Sequence, residues 1–124
     1  MLEGLTILIV EDEPIIGLNL AFTVEDLGGR VAGPVATVAE AIELLPHIHT
    51  AGAVLDGRLA DRDVTPLAVD LAARGIPFVV HSGTGLPDAL ALTHPNLPLI
   101  MKPASSVAVL RELAERIENA REPF

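Results

Sequence analysis

The chain is predicted to be an α/β protein in which five βα units wind around one parallel sheet. Two observations predict it. Short aliphatic runs alternate with stretches whose apolar residues recur at helical spacing, the pattern of repeated strand–helix units. Four of those runs also end in chemically useful residues: Glu11 and Asp12 after Leu5–Val10, Asp56 after Ala51–Leu55, Ser82 after Phe78–Val80, and Lys102 after Leu99–Met101. Parallel strands point their carboxyl ends at one edge of the sheet, so these chain-distant residues are expected to meet in one crevice.

Leu5–Val10 is nearly all aliphatic, as a strand covered on both faces should be. Pro14 suits the first turn of a helix, where its missing N–H costs nothing. Ile15, Ile16, Leu18, Phe22 and Leu27 are expected to form the buried stripe of that helix, which Gly28 and Gly29 end. Val31–Val35 reads as the second strand, with Pro34 placing it at a strand end or a sheet edge. Thr37 is the expected N-cap of a helix through Leu45, with Pro46 as its stop.

Ala51–Leu55 is the third strand. The polar loop Gly57–Asp63 follows, in which Asp61, Arg62 and Asp63 are expected to form a solvated turn, and then a helix from about Pro66 to Arg74, closed by Gly75. Pro77–His81 and Pro98–Met101 complete the strands. Between them Leu86–Leu92 has room for a short helix only, limited by Pro87 and by Thr93–Asn96. Ser105 or Ser106 caps the final helix, with Val107, Leu110, Ala114 and Ile117 turned inward and Arg111, Glu112, Glu115, Arg116 and Glu118 toward water.

At 124 residues and 50% hydrophobic content the chain has the apolar side chains for one domain's core. That core must be aliphatic, because Phe22, Phe78 and Phe124 are its only aromatic residues. The absence of cysteine excludes disulfides, thiol catalysis and Cys-ligated metals and fits a reducing compartment. No basic, apolar leader opens the chain, and no apolar run reaches the roughly 18 residues of a membrane span, so a cytoplasmic protein without membrane contact is expected. A net charge of −9 opposes binding to phosphate backbones and anionic lipid, so no direct nucleic-acid partner is expected.

Glu11, Asp12 and Asp56 gathered at one edge would repel one another unless a cation or proton intervenes. Mg²⁺ suits such a cluster best, since it takes a few carboxylates, keeps several waters and leaves positions for phosphate oxygens. Lys102 adds a monovalent charge that can point at the same phosphoryl group, Ser82 a hydroxyl, and Gly57 and Gly83 allow backbone amides to approach an oxyanion. Singly, each residue has a structural alternative: acids after a strand cap helices, Asp56 could be a loop acid, Ser82 an N-cap, Lys102 a surface charge. Their conjunction at successive strand ends favours the functional reading. His47 and His49 lack a third ligand and are expected at the surface, while His81 and His94 have no assigned role.

These residues carry a resemblance. Ile7-Leu8-Ile9-Val10-Glu11-Asp12, Val54-Leu55-Asp56, Phe78-Val79-Val80-His81-Ser82-Gly83 and Met101-Lys102-Pro103, in this order over the whole chain, resemble the receiver domain of bacterial two-component response regulators. The resemblance implies a doubly wound, flavodoxin-like (βα)5 fold with sheet order 2-1-3-4-5, and residues 1–124 as one receiver of the stand-alone type. It implies Asp56 as phosphoacceptor, Asp12 as a direct Mg²⁺ ligand, Glu11 acting largely through water, and the main-chain carbonyl of Arg58 as a further ligand. Ser82 matches the hydroxyl that turns toward the phosphoryl group and Lys102 the lysine that salt-bridges it, followed by a cis Lys102–Pro103 bond.

Its expected partners are a sensor histidine kinase or histidine phosphotransfer protein as donor and a downstream protein target, with room for a phosphorylation-dependent dimer. Catalysis would be limited to Mg²⁺-dependent self-phosphorylation and slow self-dephosphorylation. Leu99 departs from the family by standing where many receivers have a switch aromatic, while Arg58 and Thr84 occupy positions that influence phosphoryl lifetime. The alternative function is a receiver-like adaptor acting by protein contact. An aspartyl-phosphate phosphatase would want an acid where Arg58 stands, and a flavodoxin would not place Glu11-Asp12-Glu13 at its phosphate loop.

Overall fold

The computed structural model describes residues 1–121; residues 122–124, Phe124 and the end of the expected 1–124 domain among them, lie outside the described residues. Its strands are β1 (Thr6–Val10), β2 (Arg30–Val35), β3 (Gly52–Asp56), β4 (Phe78–Ser82) and β5 (Leu99–Met101). All neighbours pair in parallel in the order β2-β1-β3-β4-β5, as the resemblance implied. The helices are α1 (Pro14–Asp26), α2 (Val38–Leu44, continued by a 3-10 turn at Leu45–His47), α3 (Thr65–Ala73), α4 (Asp88–Thr93) and α5 (Ser106–Arg121).

Successive side chains of a strand point to opposite faces, and the core divides accordingly. Leu8, Val10, Ala53, Leu55 and Val80 pack with Val38, Ala41, Leu67, Leu71 and Leu90 of α2, α3 and α4. Ile7, Ile9, Val54 and Val79 pack with Leu20, Val24, Val109, Leu113 and Ile117 of α1 and α5. Both sheet faces are thus covered, which is why β1, β3 and β4 read as unbroken aliphatic runs. Among the described residues no helix is long and apolar enough to cross a membrane.

Two helices sit rotated from their expected orientation. α1 buries Gly17, Leu20, Ala21 and Val24, while Ile15, Leu18 and Phe22 are 75%, 51% and 56% exposed. The reason is close approach. A Cβ on Gly17 would stand 3.3 Å from Pro34 Cβ, so the face with the smallest residues lies nearest β2 and the bulkier stripe turns outward. In α5 the buried face is Val109, Leu110, Leu113 and Ile117, and Val107 is exposed. Gly52 leaves the space for this packing, since a Cβ there would lie 2.8 Å from Ile117 Cδ1 and 3.1 Å from Leu113 Cδ1.

Other boundaries move little. Thr37 caps α2 as expected, its hydroxyl accepting from Glu40 N–H. The short helix before β5 starts at Asp88 rather than Leu86 because Pro87 holds an extended ψ of 145°. The Lys102–Pro103 bond is cis, and so is Gly33–Pro34, which sequence reasoning did not foresee.

Candidate functional site

The carboxyl ends of β1, β3, β4 and β5 build one crevice. Glu11 N–H donates to Val35 O at 2.9 Å, which ties the acidic pair to the end of β2. Lys102 N–H donates to Ser82 O at 2.9 Å, extending the β4–β5 pairing to the lysine itself. Carboxylate oxygens of Glu11, Asp12 and Asp56 lie within 4.8 Å of one another, the only such group among the described residues. Lys102 Nζ stands 3.1 Å from Glu11 Oε1 and 3.3 Å from Asp56 Oδ2, with Glu13 Oε2 at 3.6 Å.

Burial governs the electrostatics. Glu11 is 5% exposed and Asp56 8%. Burial first, then the hydrogen bond and charge of neighbouring Asp56, pushes the Glu11 carboxyl up to about 8. Burial works against the Lys102 ammonium, but the Glu11 and Asp56 carboxylates more than offset it and hold the lysine above its ordinary value. One ammonium facing three carboxyl groups leaves a formal excess of negative charge, part of which Glu11 relieves in the metal-free protein by holding a proton. That excess, with one oxygen from each of three carboxyl groups within 4.8 Å of the others, fits a hard divalent cation.

Ser82 is buried beside this cluster, its Oγ accepting from Thr84 N–H at 3.1 Å. A Cβ on Gly57 would sit 2.7 Å from that Oγ, so glycine after Asp56 is what lets the hydroxyl approach. Arg58 follows on the β3–α3 loop, with an exposed side chain. The structure therefore gathers Glu11, Asp12, Asp56 and Lys102 directly, with Ser82 and Arg58 adjoining.

Three features escaped sequence reasoning. Glu13 contacts Lys102, although only its place beside the acidic pair hinted at that. Asp61, Arg62 and Asp63 lie on a solvent-facing turn as expected, but two of its carboxylates are also helix-start acceptors: Asp61 accepts from Val38 and Ala39 N–H, and Asp63 from Thr65 N–H. The amides at two helix starts hold these carboxylates, and the bond to Val38 leads in holding Asp61 below its ordinary pKa. His81 is buried, and among the described residues neither of its ring nitrogens has a hydrogen-bond partner; burial, reinforced by Lys102, lowers its pKa. His47 and His49 are exposed as expected.

Neither a protein-family model nor a curated protein sequence matches the chain. Solved structures do. A response regulator receiver protein from Sinorhizobium medicae WSM419 is 26% identical, covers 96% of this chain and 98% of its own, and superposes with a TM-score of 0.82. The BeF3-activated conformation of SdrG from Pseudomonas melonis Fr1 is 37% identical over 92% of this chain and 97% of its own, with a TM-score of 0.70. The receiver domain of a sensor histidine kinase from Pseudomonas aeruginosa PAO1, described with a magnesium ion coordinated in its active-site cleft, is 23% identical over 93% and 98%, with a TM-score of 0.78. On a likeness that runs nearly the full length of both molecules, together with this chain's own β2-β1-β3-β4-β5 sheet and the acidic crevice at its carboxyl edge, the chain belongs to the receiver domains of two-component response regulators, a family of phosphoacceptor signalling domains.

Proposed function

We propose that this receiver takes a phosphoryl group onto Asp56 from the phosphohistidine of a sensor histidine kinase or histidine phosphotransfer protein, and that its surface changes in response. The observation that carries the reading is the meeting of Glu11, Asp12, Asp56 and Lys102 at one sheet edge. The donor set fits Mg²⁺, held by Glu11, Asp12, Asp56 and the main-chain carbonyl of Arg58. When bound, the ion neutralises charge on the phosphoryl oxygens. The magnesium described in the Pseudomonas aeruginosa neighbour and the BeF3-activated state of SdrG support the same chemistry.

An Asp56 carboxylate oxygen forms the new bond to phosphorus while the bond from phosphorus to the donor's imidazole nitrogen breaks. A carboxylate nucleophile needs no base, so positioning and charge do most of the work. Lys102, already against Asp56, turns to the added phosphoryl oxygens. Ser82 Oγ accepts from Thr84 N–H, which leaves its own proton to donate to that group. The exposed stripe Ile15, Leu18 and Phe22 on α1 begins two residues beyond Glu13 and offers an apolar docking face beside the crevice for the protein donor.

Incubation with Mg²⁺ and phosphoramidate, read by intact mass, tests the reading. One phosphoryl group should add to the wild type and none to Asp56→Asn or to protein in EDTA. A wild type that gains no mass would favour an adaptor acting by contact alone.

A further inference from the structure

The segment Gly57–Val64 between β3 and α3 is folded as a small hairpin. Leu59 N–H donates to Arg62 O at 2.9 Å, Val64 N–H donates to Gly57 O at 3.1 Å, and Arg58 pairs antiparallel with Asp63. Leu59 and Val64 anchor it in the core at 4% and 0% exposure. The tip is held differently. Asp61 Oδ1 accepts from Val38 N–H at 2.9 Å and Oδ2 from Ala39 N–H at 3.1 Å, the first two amides of α2, while Thr37 Oγ1 takes the third at 3.1 Å. One carboxylate thus spans from the loop after the candidate phosphoacceptor to a helix 23 residues earlier in the chain.

We propose that Asp61 is a positioning residue of the metal site: by clasping the start of α2 it holds the hairpin, and with it Arg58, so that the Arg58 main-chain carbonyl is ready as a ligand. This rests on the reading of Arg58 given under the proposed function. The physical ground is preorganisation. A carbonyl ligand on an exposed loop must be ordered each time the ion binds, and that entropic cost weakens affinity. Asp61 has already met this cost through two bonds, and it touches none of the other ligands.

The test compares Asp61→Ala, Asp61→Asn and Thr37→Ala in the full chain, each titrated with Mg²⁺ alone and followed by amide NMR shifts well below its melting temperature. Thr37→Ala removes a cap of the same helix without touching the hairpin, so it controls for a merely structural role. The expected result is an affinity about tenfold weaker in Asp61→Ala, the lower end for losing an outer-shell support, and a smaller loss in Asp61→Asn, which keeps one acceptor oxygen. Thr37→Ala should lower stability and leave Mg²⁺ affinity unchanged. An Asp61→Ala affinity within about twofold of wild type, or an equal loss in Thr37→Ala, overturns the proposal. A wild type that does not bind Mg²⁺ overturns the metal reading itself and the proposal with it.

Discussion

Replacing Lys102 with Met tests the charge balance of the crevice most directly. The lysine side chain is 17% exposed, and its Nζ lies 3.1 Å from Glu11 and 3.3 Å from Asp56, whose side chains are 2% and 10% exposed. Removing one member of a buried ion cluster costs about 3–5 kcal/mol, because the remaining charges are left uncompensated. Glu11 can relieve part of this by holding a proton, since its carboxyl is already pushed up to about 8. We therefore expect the lower end, about 3 kcal/mol in EDTA at pH 8, or about 10 °C in Tm for a chain of this size. Lys102 and Mg²⁺ would share the same carboxylate oxygens, so Lys102→Met should bind the ion more tightly than wild type. At 100 times Kd the ion adds about 2.7 kcal/mol to the folded state, and the variant should regain much of its loss there. Urea unfolding followed by circular dichroism, with and without Mg²⁺, measures both effects. A loss below about 1 kcal/mol in EDTA, or a gain from Mg²⁺ no larger than that of wild type, would refute the reasoning.

Glu11 makes the metal-free protein sensitive to alkali: its folded carboxyl keeps a proton from its ordinary 4.5 up to about 8, so its contribution is fully present below 4.5 and is lost as pH rises through 8. Glu11→Gln should flatten that decline in urea melts run in EDTA across the window, and an unaltered slope would count against it. Gly57→Ala puts a Cβ 2.7 Å from Ser82 Oγ and 3.0 Å from Ser82 Cβ, and should cost about 1–3 kcal/mol; adding Ser82→Gly should return most of it, and a double variant no better than the single would contradict the packing argument. Phe22→Glu should slow transfer from a histidine phosphotransfer protein about tenfold, the worth of one buried aromatic contact, while phosphoramidate labelling stays normal; equal loss with both donors would remove α1 from the docking face.

Much of the site was legible because its ingredients sit at the ends of strands. Glu11, Asp12, Asp56, Ser82 and Lys102 each follow an aliphatic run, and a parallel sheet must bring such positions to one edge. Helix orientation was less legible. α1 is apolar on nearly every side, so the spacing of Ile15, Leu18 and Phe22 fits a buried stripe as well as Gly17, Leu20, Ala21 and Val24 do. Close contact with Pro34, where a Cβ on residue 17 would stand only 3.3 Å from the Pro34 Cβ, favoured the small-residue face.

The sequence by itself determined the fold class, the five strand–helix alternations, the aliphatic core and the residues that meet in the crevice, since periodicity and strand-end position are local properties of the chain. Tertiary structure decided which face of α1 is buried, that Lys102 spans Glu11, Glu13 and Asp56, and that Asp61 reaches back to α2. Each of those depends on a fit between surfaces far apart in the chain. Spacing along one segment carries no record of the partner surface, and side-chain volume, backbone approach and charge settle the pairing only when both are in place.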